Sequence, residues 1–155
     1  MQYRPAVSAD LSNWLEVARN VGEIMRVPDM SANAAFLEYA TRKLEQDNAI
    51  MAYDGEQKMC AGFVGFSRTN NSVTWLGVKS AYRNQGVGSR LLSLALCELD
   101  MSRRITVNTY PADYLPGRPA RELYFKHGFV EMISEPFLID GLEMVELSII
   151  PDCSI

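Results

Sequence analysis

The sequence predicts an α/β (α+β) fold in which a mixed, mostly antiparallel sheet of seven strands is flanked by about four helices. Short turns join three strand-like segments between Ala49 and Val78, which is typical of an antiparallel meander. A strand, a helix and a strand follow one another from Val73 to Thr109, and this order predicts a parallel pair with a right-handed crossover. A hairpin over residues 130–150 closes the predicted sheet.

Length and composition indicate one domain over residues 1–155. The 155 residues are enough to bury a core, and 48% of them are hydrophobic, as in soluble globular proteins. A formal net charge of −4 argues against nonspecific nucleic-acid binding. No signal-peptide pattern or membrane-spanning apolar stretch occurs, so we expect a cytoplasmic protein without nucleic-acid or membrane partners. Cys60, Cys97 and Cys153 show no C-x-x-C spacing, so we expect reduced thiols and no metal site.

The chain before the meander predicts one strand and two helices. Tyr3–Val7 is a short strand that Pro5 confines to an edge of the sheet. Ser8 or Asp10 is the candidate N-cap of the first helix, and Ser31 is that of the second. Apolar residues recur at helical spacing in both helices. They are Leu11, Trp14, Leu15, Ala18 and Val21 in the first helix and Ala32, Ala35, Phe36, Tyr39, Ala40 and Leu44 in the second.

Turn residues and apolar periodicity delimit the remaining elements. The predicted strands are Ala49–Tyr53, Lys58–Arg68, Ser72–Val78, Ile105–Tyr110, Val130–Leu138 and Leu142–Ile150, and the predicted helices are Gln85 to about Met101 and Arg118–His127. Asp54-Gly55 and Asp140-Gly141 are read as tight hairpin turns. The apolar row of the longer helix consists of Val87, Leu91, Ala95 and Leu99. A proline-rich loop, Pro111–Pro119, precedes the shorter helix, which Gly128 ends.

The stretch from Trp75 to Leu92 carries the clearest functional signal. It reads as an apolar strand, a short loop with Gly86 and Gly88, and an amphipathic helix. The first N–H groups of a helix lack intrahelical partners and lie at the positive end of its dipole, so they bind anions. The two glycines let the backbone approach a bound group, and Arg83 adds a positive charge. Together these features predict a diphosphate site.

Two common nucleotide-binding motifs do not fit this loop. A P-loop requires Lys and then Ser or Thr after its last glycine, and this pair does not follow Gly88. A dinucleotide-binding loop requires a third glycine where this chain has Leu91, and an acid at the end of the next strand, where it has Asn108. The pattern that remains is Arg-x-x-Gly-x-Gly, from Arg83 to Gly88.

This pattern resembles the acyl-CoA loop of the GCN5-related N-acetyltransferase (GNAT) superfamily. A second segment, from Ala120 to Phe129, reads Ala-Arg-Glu-Leu-Tyr-Phe-Lys-His-Gly-Phe and resembles the A-x-x-L-Y-x-x-x-G-F signature of the same family. It follows the loop after one helix and one strand, which is the expected order. The resemblance therefore covers about Trp75 to Phe129, and outside this range it is one of topology alone.

The resemblance implies a GNAT-like sheet whose fourth and fifth strands splay apart around the pantetheine arm of acetyl-CoA, the co-substrate, with no metal. It implies that the N–H of Val78 polarises the thioester carbonyl. Tyr124 matches the tyrosine that protonates the leaving thiolate, although a packing role is the alternative. Asn108 either binds the cofactor arm or caps a local backbone group. The implied cofactor-binding residues are Leu76, Gly77, Val78, Arg83, Asn84, Gln85, Gly86, Val87, Gly88, Ser89, Asn108 and Tyr124.

The sequence departs from the family pattern in two places. Many members have Asn three residues before the helix Ala, where this chain has Gly117, so that contact is lost or is made by Arg118. Some members carry a glutamate base on the fourth strand, but Ser72–Val78 contains no carboxylate. Other candidate bases are Glu23, Glu38, Asp113 and Glu146. The single histidine, His127, is expected to face solvent rather than to act as a base.

The two signatures predict an enzyme that moves an acetyl group from acetyl-CoA to a primary amine of a small molecule by direct attack in a ternary complex. The alternatives are peptide or protein N-acetylation and a non-catalytic acyl-CoA-binding regulatory module. The acceptor would be set by Met25–Met30, Pro111–Pro119 and the last hairpin, none of which carries a recognisable motif. Members of the family often dimerise, so a homodimer is a further candidate.

Overall fold

The computed structural model describes residues 1–22, 24–26, 29–132, 135–139 and 141–151. The strands are β1 Gln2–Pro5, β2 Ala49–Asp54, β3 Met59–Ser67, β4 Ser72–Val78, β5 Ile105–Thr109, β6 Val130–Glu131, β7 Phe137–Ile139 and β8 Leu142–Ile149. The α-helices are α1 Leu11–Val21, α2 Ala34–Glu45, α3 Val87–Cys97 and α4 Arg118–Lys126. The sheet order is β1-β2-β3-β4-β5-β8-β6, with β7 paired to β8. Within these ranges every strand pair is antiparallel except β4–β5, which confirms the predicted fold class.

The sheet has eight strands because the segment predicted as one strand, Val130–Leu138, contains both β6 and β7. From Val130 to Phe137 the chain advances by seven residues, while the paired positions on β8 advance by only four, from Ser148 to Met144. The additional residues interrupt the pairing. Pro136 lies in the interruption and has no N–H to donate to a neighbouring strand. Asp140, half of the predicted last turn, lies outside the described residues.

The predicted N-cap is wrong for α2, whereas in α1 Asp10 holds the N-cap position as predicted but its side chain caps no helix N–H. The Oδ1 atom of Asn33 accepts the N–H of Phe36 at 3.0 Å, so Asn33 rather than Ser31 is the N-cap of α2. Neither candidate cap of α1 binds a helix N–H. The carboxylate of Asp10 instead accepts the N–H of Val7, three residues earlier, at 2.8 Å. A short polar side chain marks a chain bend in both cases, but local sequence does not decide which amide it binds.

The connection between β2 and β3 is longer than the predicted tight turn at Asp54-Gly55. Residues 55–58 separate the two strands. The Oδ1 atom of Asp54 accepts the N–H groups of Glu56 and Gln57 at 3.0 and 3.2 Å, so the carboxylate organises the loop. The side chain of Asp54 thus replaces the backbone pairing of a two-residue hairpin.

The sheet separates two apolar cores. On one face the predicted α3 row, Val87, Leu91, Ala95 and Leu99, is buried throughout. On the other face α1 and α2 pack around Trp14, whose ring stacks on that of Phe63 with 5.0 Å between centroids. Stacked and edge-to-face aromatic pairs stabilise a core beyond the area they bury. The helices on both faces therefore hold the sheet between them.

Strands β4 and β5 pair only where they begin. Their two register pairs are Ser72–Thr106 and Val73–Val107. Immediately afterwards β4 contains one additional residue, Thr74, opposite the single β3 step from Gly65 to Phe66. Such a β-bulge bends the strand that contains it. The strands diverge beyond this bulge, and the space between residues 75–78 and residues 108–110 is called the central cleft below.

Asn71 fixes the end at which the two strands are paired. Its side chain is buried, and its Nδ2 atom donates to the carbonyl oxygens of Asp100 and Arg104 at 2.9 and 3.0 Å. Its Oδ1 atom accepts the N–H of Asp100 at 2.8 Å. Asn71 also has a φ of +52°, which Asn tolerates better than most residues. The β3–β4 turn is thereby joined to the loop between α3 and β5.

Replacing Asn71 by Ala is expected to lower the free energy of unfolding by about 2–4 kcal/mol, because buried main-chain groups lose their partners. Urea unfolding followed by circular dichroism measures this loss. Asn70→Ala is the matched control, since Asn70 is exposed, and its effect should stay within about 0.5 kcal/mol. Equal stability of the two variants would contradict the role assigned to Asn71.

Candidate active site

The loop between β4 and α3 presents unoccupied main-chain donors. Within the described ranges, none of the six backbone N–H groups from Asn84 to Ser89 has an acceptor. The next N–H, that of Arg90, donates to the carbonyl oxygen of Gly86 at 3.0 Å and begins the helical pattern. Asn84 and Gly86 are both left-handed, with φ of +60° and +80°. Loops of this kind turn successive N–H groups toward one concave surface, which favours anions.

Gly86 and Gly88 have different surroundings. A Cβ atom at Gly86 would meet nothing within 4 Å, and its φ of +80° is one that L side chains rarely adopt. A Cβ atom at Gly88 would stand 3.3 Å from the Cδ2 atom of Leu123 in α4. Gly86 therefore leaves open space beside the free donors, whereas Gly88 lets α3 pack closely against α4.

The side chains of the loop are mostly engaged with the protein itself. The Nε atom of Arg83 donates to the carbonyl oxygen of Val78 at 3.3 Å, which holds the guanidinium at the end of β4. The Nε2 atom of Gln85 donates to the carbonyl oxygen of Ala81 at 3.1 Å. Val87 is buried in the core. The free donors of this loop are thus main-chain groups, with the charge of Arg83 beside them.

His127 is only partly exposed, and both of its ring nitrogens contact the protein rather than facing solvent as expected. Its Nδ1 atom donates to the carbonyl oxygen of Leu123 at 2.9 Å, so in the neutral ring Nε2 is the acceptor. The Nε2 atom lies 3.3 Å from the hydroxyl of Ser89 and 3.1 Å from that of Ser93, so its single lone pair accepts from one of these hydroxyls at a time. His127 therefore ties the end of α4 to the beginning of α3.

The main-chain groups of β4 alternate in direction. The N–H of Lys79 donates to the carbonyl oxygen of Ala61 at 2.9 Å, so the main-chain groups of residues 75, 77 and 79 face β3. Those of Leu76 and Val78 consequently face the central cleft. Gly77, which was predicted with them, directs its main-chain groups to β3, and the Trp75 ring occupies the position that a Cβ atom would need.

The other edge of the central cleft is formed by β5 and the residue that follows it. The N–H of Thr106 donates to the carbonyl oxygen of Asn71 at 3.3 Å, so the main-chain groups of Asn108 and Tyr110 face the same way, into the cleft. The side chain of Asn108 is exposed and caps no backbone group in the described part of the chain. The buried guanidinium of Arg121 in α4 donates to the carbonyl oxygen of Tyr110 at 3.0 Å.

Tyr124 is buried in α4, with its ring edge-to-face against Phe129 and 5.5 Å between centroids. Its hydroxyl has no hydrogen-bond partner among the residues that the structure describes. Burial, and to a lesser extent the nearby Tyr110, raises the pKa of Tyr124 above its ordinary value. The phenol is therefore protonated at neutral pH, as a proton donor must be.

The candidate bases lie in different places. Glu23 lies outside the described residues. Glu38 is on the exposed face of α2, and Glu146 forms an ion pair with Arg104 at 2.6 Å. Asp113 alone among the described candidates lines a cavity at the end of β5. The positions of these carboxylates thus favour Asp113.

This polar cavity, called the Tyr110 cavity below, has a volume of about 150 Å³. It is lined by Arg26, Tyr110, Pro111, Asp113, Tyr114 and Glu143. The guanidinium carbon of Arg26 lies 3.7 Å from the centre of the Tyr114 ring, and burial raises the pKa of Tyr110 to about 12. The sequence indicated that the segments around Arg26, Asp113 and Glu143 set the acceptor, but among the lining residues it singled out only Asp113. The only available signal was the pair of tyrosines flanking Pro111 and Asp113.

A family-wide sequence comparison gives a match to the domain described as acetyltransferase (GNAT) over residues 45–131. The matched range is more than half of the chain and includes the loop, the central cleft and Tyr124. The chain belongs to the GNAT acetyltransferase family.

Solved structures share the GNAT fold over nearly the whole chain. YncA from Salmonella typhimurium, described with its cofactor acetyl-CoA, matches with a TM-score of 0.71 at 15% identity and covers 100% of this chain and 96% of its own. Diaminobutyrate acetyltransferase EctA from Paenibacillus lautus, in complex with L-2,4-diaminobutyric acid and coenzyme A, matches with a TM-score of 0.70 at 17% identity and covers 97% of this chain and 94% of its own. A GNAT acetyltransferase from Bacillus cereus matches with a TM-score of 0.69 at 15% identity and covers 97% of this chain and 96% of its own. Such identities establish the fold alone, and no curated protein matches the sequence.

Membership of the GNAT family confirms two predictions. The protein is an N-acetyltransferase, and acetyl-CoA is the co-substrate of this family. In the described part of the chain, no helix is long and apolar enough to cross a membrane. The individual residues predicted to bind acetyl-CoA remain predictions, which substitutions in the loop can test.

Replacing Gly86 by Leu is expected to abolish measurable acetyl-CoA binding in calorimetry, because the side chain would fill the space beside the free N–H groups. Gly141→Leu is the matched control, since Gly141 has the same φ of +80° and equally open surroundings but lies between β7 and β8. The control should have the same free energy of unfolding as the Gly86 variant and should retain wild-type affinity for acetyl-CoA. Wild-type affinity in Gly86→Leu would refute the loop assignment.

Proposed function

We propose that this GNAT enzyme transfers the acetyl group of acetyl-CoA to a primary amine of a small molecule, by direct attack of the amine in a ternary complex. The observation that carries this proposal is the Tyr110 cavity, because it lies where the main-chain groups of the central cleft end. Its volume of about 150 Å³ is well below the roughly 300–1,000 Å³ of pockets for drug-sized ligands. A small metabolite fits this space better than a length of peptide.

The chemistry of the thiols supports direct attack over a covalent acetyl-cysteine intermediate. Burial raises the pKa of Cys60 to about 12, so it forms almost no thiolate at neutral pH. Cys97 is exposed at the end of α3, away from the start of that helix, where the loop lies. Neither of these two thiols is suited to accept the acetyl group before the amine does, and Cys153 lies outside the described residues.

Main-chain groups would hold the co-substrate. The free N–H groups from Asn84 to Ser89 would bind the diphosphate of acetyl-CoA, and the charge of Arg83 would assist them. Leu76 and Val78 would pair with the pantetheine amides, since their main-chain groups face the cleft. The N–H of Val78 would stabilise the oxyanion that forms when the amine attacks the thioester carbonyl.

Tyr124 would act as the general acid. The attack forms a C–N bond, and collapse of the tetrahedral intermediate breaks the C–S bond. Tyr124 then gives its proton to the departing thiolate, since its raised pKa keeps the phenol protonated. We assign to Asp113 the proton that the amine loses, because Asp113 lines the Tyr110 cavity.

A solved relative supports a small amine as the acceptor. EctA from Paenibacillus lautus is described with L-2,4-diaminobutyric acid and coenzyme A bound, and it shares the fold over 97% of this chain. A direct test incubates the protein with acetyl-CoA and a panel of small amines and peptides. The coenzyme A thiol that each reaction releases is measured. Turnover with peptides alone would refute a small-molecule acceptor, and tight acetyl-CoA binding without any turnover would refute catalysis.

Tyr124→Phe is expected to lower kcat by roughly 10²–10⁴-fold, the usual contribution of a general acid, with little change in acetyl-CoA affinity. Steady-state kinetics and calorimetry together separate these two quantities. Tyr53→Phe is the control, because Tyr53 lies on β2 and packs against the opposite core. In the wild type, kcat should not fall between about pH 8 and pH 10 through ionisation of Tyr124, since its pKa lies above the ordinary value of about 10. An unchanged kcat in Tyr124→Phe, with chemistry rate-limiting, would remove Tyr124 from the mechanism.

A further inference from the structure

The Tyr110 cavity brings together three charged side chains from separate parts of the chain. Arg26 follows α1, Asp113 belongs to the loop after β5, and Glu143 is in β8. None of the three forms an ion pair with another residue within the described ranges. The cavity thus offers one positive and two negative groups, none of them neutralised by the protein.

Arg26 is held in a way that leaves its hydrogen-bond donors free. Its guanidinium stacks on the face of the Tyr114 ring at 3.7 Å, an arrangement that uses the flat face of the group and not its N–H edge. The hydroxyl of Tyr114 in turn donates to the carbonyl oxygen of Ile24 at 2.7 Å, which anchors the ring to the same segment. Arg26 also has a φ of +55°, which is uncommon outside glycine. Because the stacking leaves the N–H edge of the guanidinium free, that edge is suited to bind a carboxylate through two parallel hydrogen bonds.

The two carboxylates of the cavity offer the opposite chemistry. Asp113 and Glu143 are both exposed side chains without a hydrogen-bond donor among the described residues. Ionised carboxylates only accept hydrogen bonds, so their natural partners here are ammonium groups. The acids belong to two different segments, so they can bind two separate ammonium groups or share one.

The position of the cavity connects it to the reaction. Tyr110 lines the cavity with its side chain, while its main-chain groups face the central cleft. Its carbonyl oxygen accepts a hydrogen bond from Arg121, three residues before Tyr124 in α4. A molecule in the cavity therefore lies at the end of the cleft that α4 contacts through Arg121.

From this juxtaposition we propose that the acceptor is a small diamino acid, with its carboxylate bound by Arg26 and its two amino groups by Asp113 and Glu143. One carboxylate and two ammonium groups match one guanidinium and two carboxylates. The inference rests on the proposed function, since it names the acceptor of that reaction.

Three matched compounds test the inference in the wild-type enzyme with acetyl-CoA. Ornithine carries both amines and the carboxylate, putrescine lacks the carboxylate, and δ-aminovalerate lacks the α-amine. We expect kcat/KM to be highest for ornithine. In Arg26→Gln the ratio of kcat/KM for ornithine to that for putrescine should fall by roughly 10- to 100-fold, mainly through KM, because a charge-assisted contact is lost.

Two further variants and one control complete the design. Arg26→Lys should restore part of the preference for ornithine, since it keeps the charge but not the forked geometry. Glu143→Gln should reduce the ratio of ornithine to δ-aminovalerate, because it removes one partner of the second ammonium. Arg103→Gln removes an exposed arginine in the loop between α3 and β5 and should leave both ratios unchanged.

The outcomes separate this inference from the proposed function. Turnover of small amines with equal kcat/KM for ornithine and putrescine, or with a ratio insensitive to Arg26→Gln, overturns the diamino acid and leaves the proposed function standing. If no amine is turned over, calorimetry of ornithine with the coenzyme A complex decides. Ornithine binding that Arg26→Gln abolishes supports the cavity while the proposed reaction fails, and absence of ornithine binding overturns the inference.

Discussion

The divergence of β4 from β5 is the constraint on which the rest of the structure depends. In a continuous sheet the main-chain groups of Leu76 and Val78 would bond to β5, and an unpaired edge inside a sheet carries an energetic cost. The bulge at Thr74 sets where the divergence begins. Asn71 fixes the closed end through the loop before β5, and Arg121 fixes the open end through the carbonyl of Tyr110. Contacts at both ends thus keep β4 and β5 apart, which leaves the hydrogen-bonding groups of their facing edges available to a substrate.

Helices α3 and α4 form a second rigid unit beside this cleft. Gly88 allows them to approach closely, and His127 joins them through the hydroxyls of Ser89 and Ser93. The loop that begins α3 is the candidate phosphate site, and α4 carries Tyr124. Contacts between the two helices therefore fix the distance between the loop proposed to bind the diphosphate and the tyrosine proposed to protonate the sulfur.

Local patterns were enough to predict the elements and the loop, because turn residues and apolar periodicity act over a few residues. The Arg83–Gly88 pattern and the helix end at Gly128 are features of this kind. The direction of Gly77 depends on the register between β3 and β4, and the partners of His127 depend on how two helices pack, so no local pattern encodes either. The Tyr110 cavity joins Arg26 to Glu143, which are far apart in the chain and meet only through the fold. Pro136 indicates where the predicted strand Val130–Leu138 is interrupted, but the sequence does not indicate how its two parts pair with β8.

Gly117 is one of the two departures from the expected family pattern, and its surroundings explain why a larger residue does not fit here. A Cβ atom at this position would lie 2.9 Å from two atoms of the Tyr110 side chain and 3.2 Å from the ring of Tyr114. One of the two Tyr110 atoms is its Cβ, which every residue except glycine carries, so the close approach of the two backbones already excludes a side chain at position 117. A smaller residue at position 110 would remove the contact with the tyrosine ring and leave the contact between the two Cβ atoms, so position 117 would still require glycine.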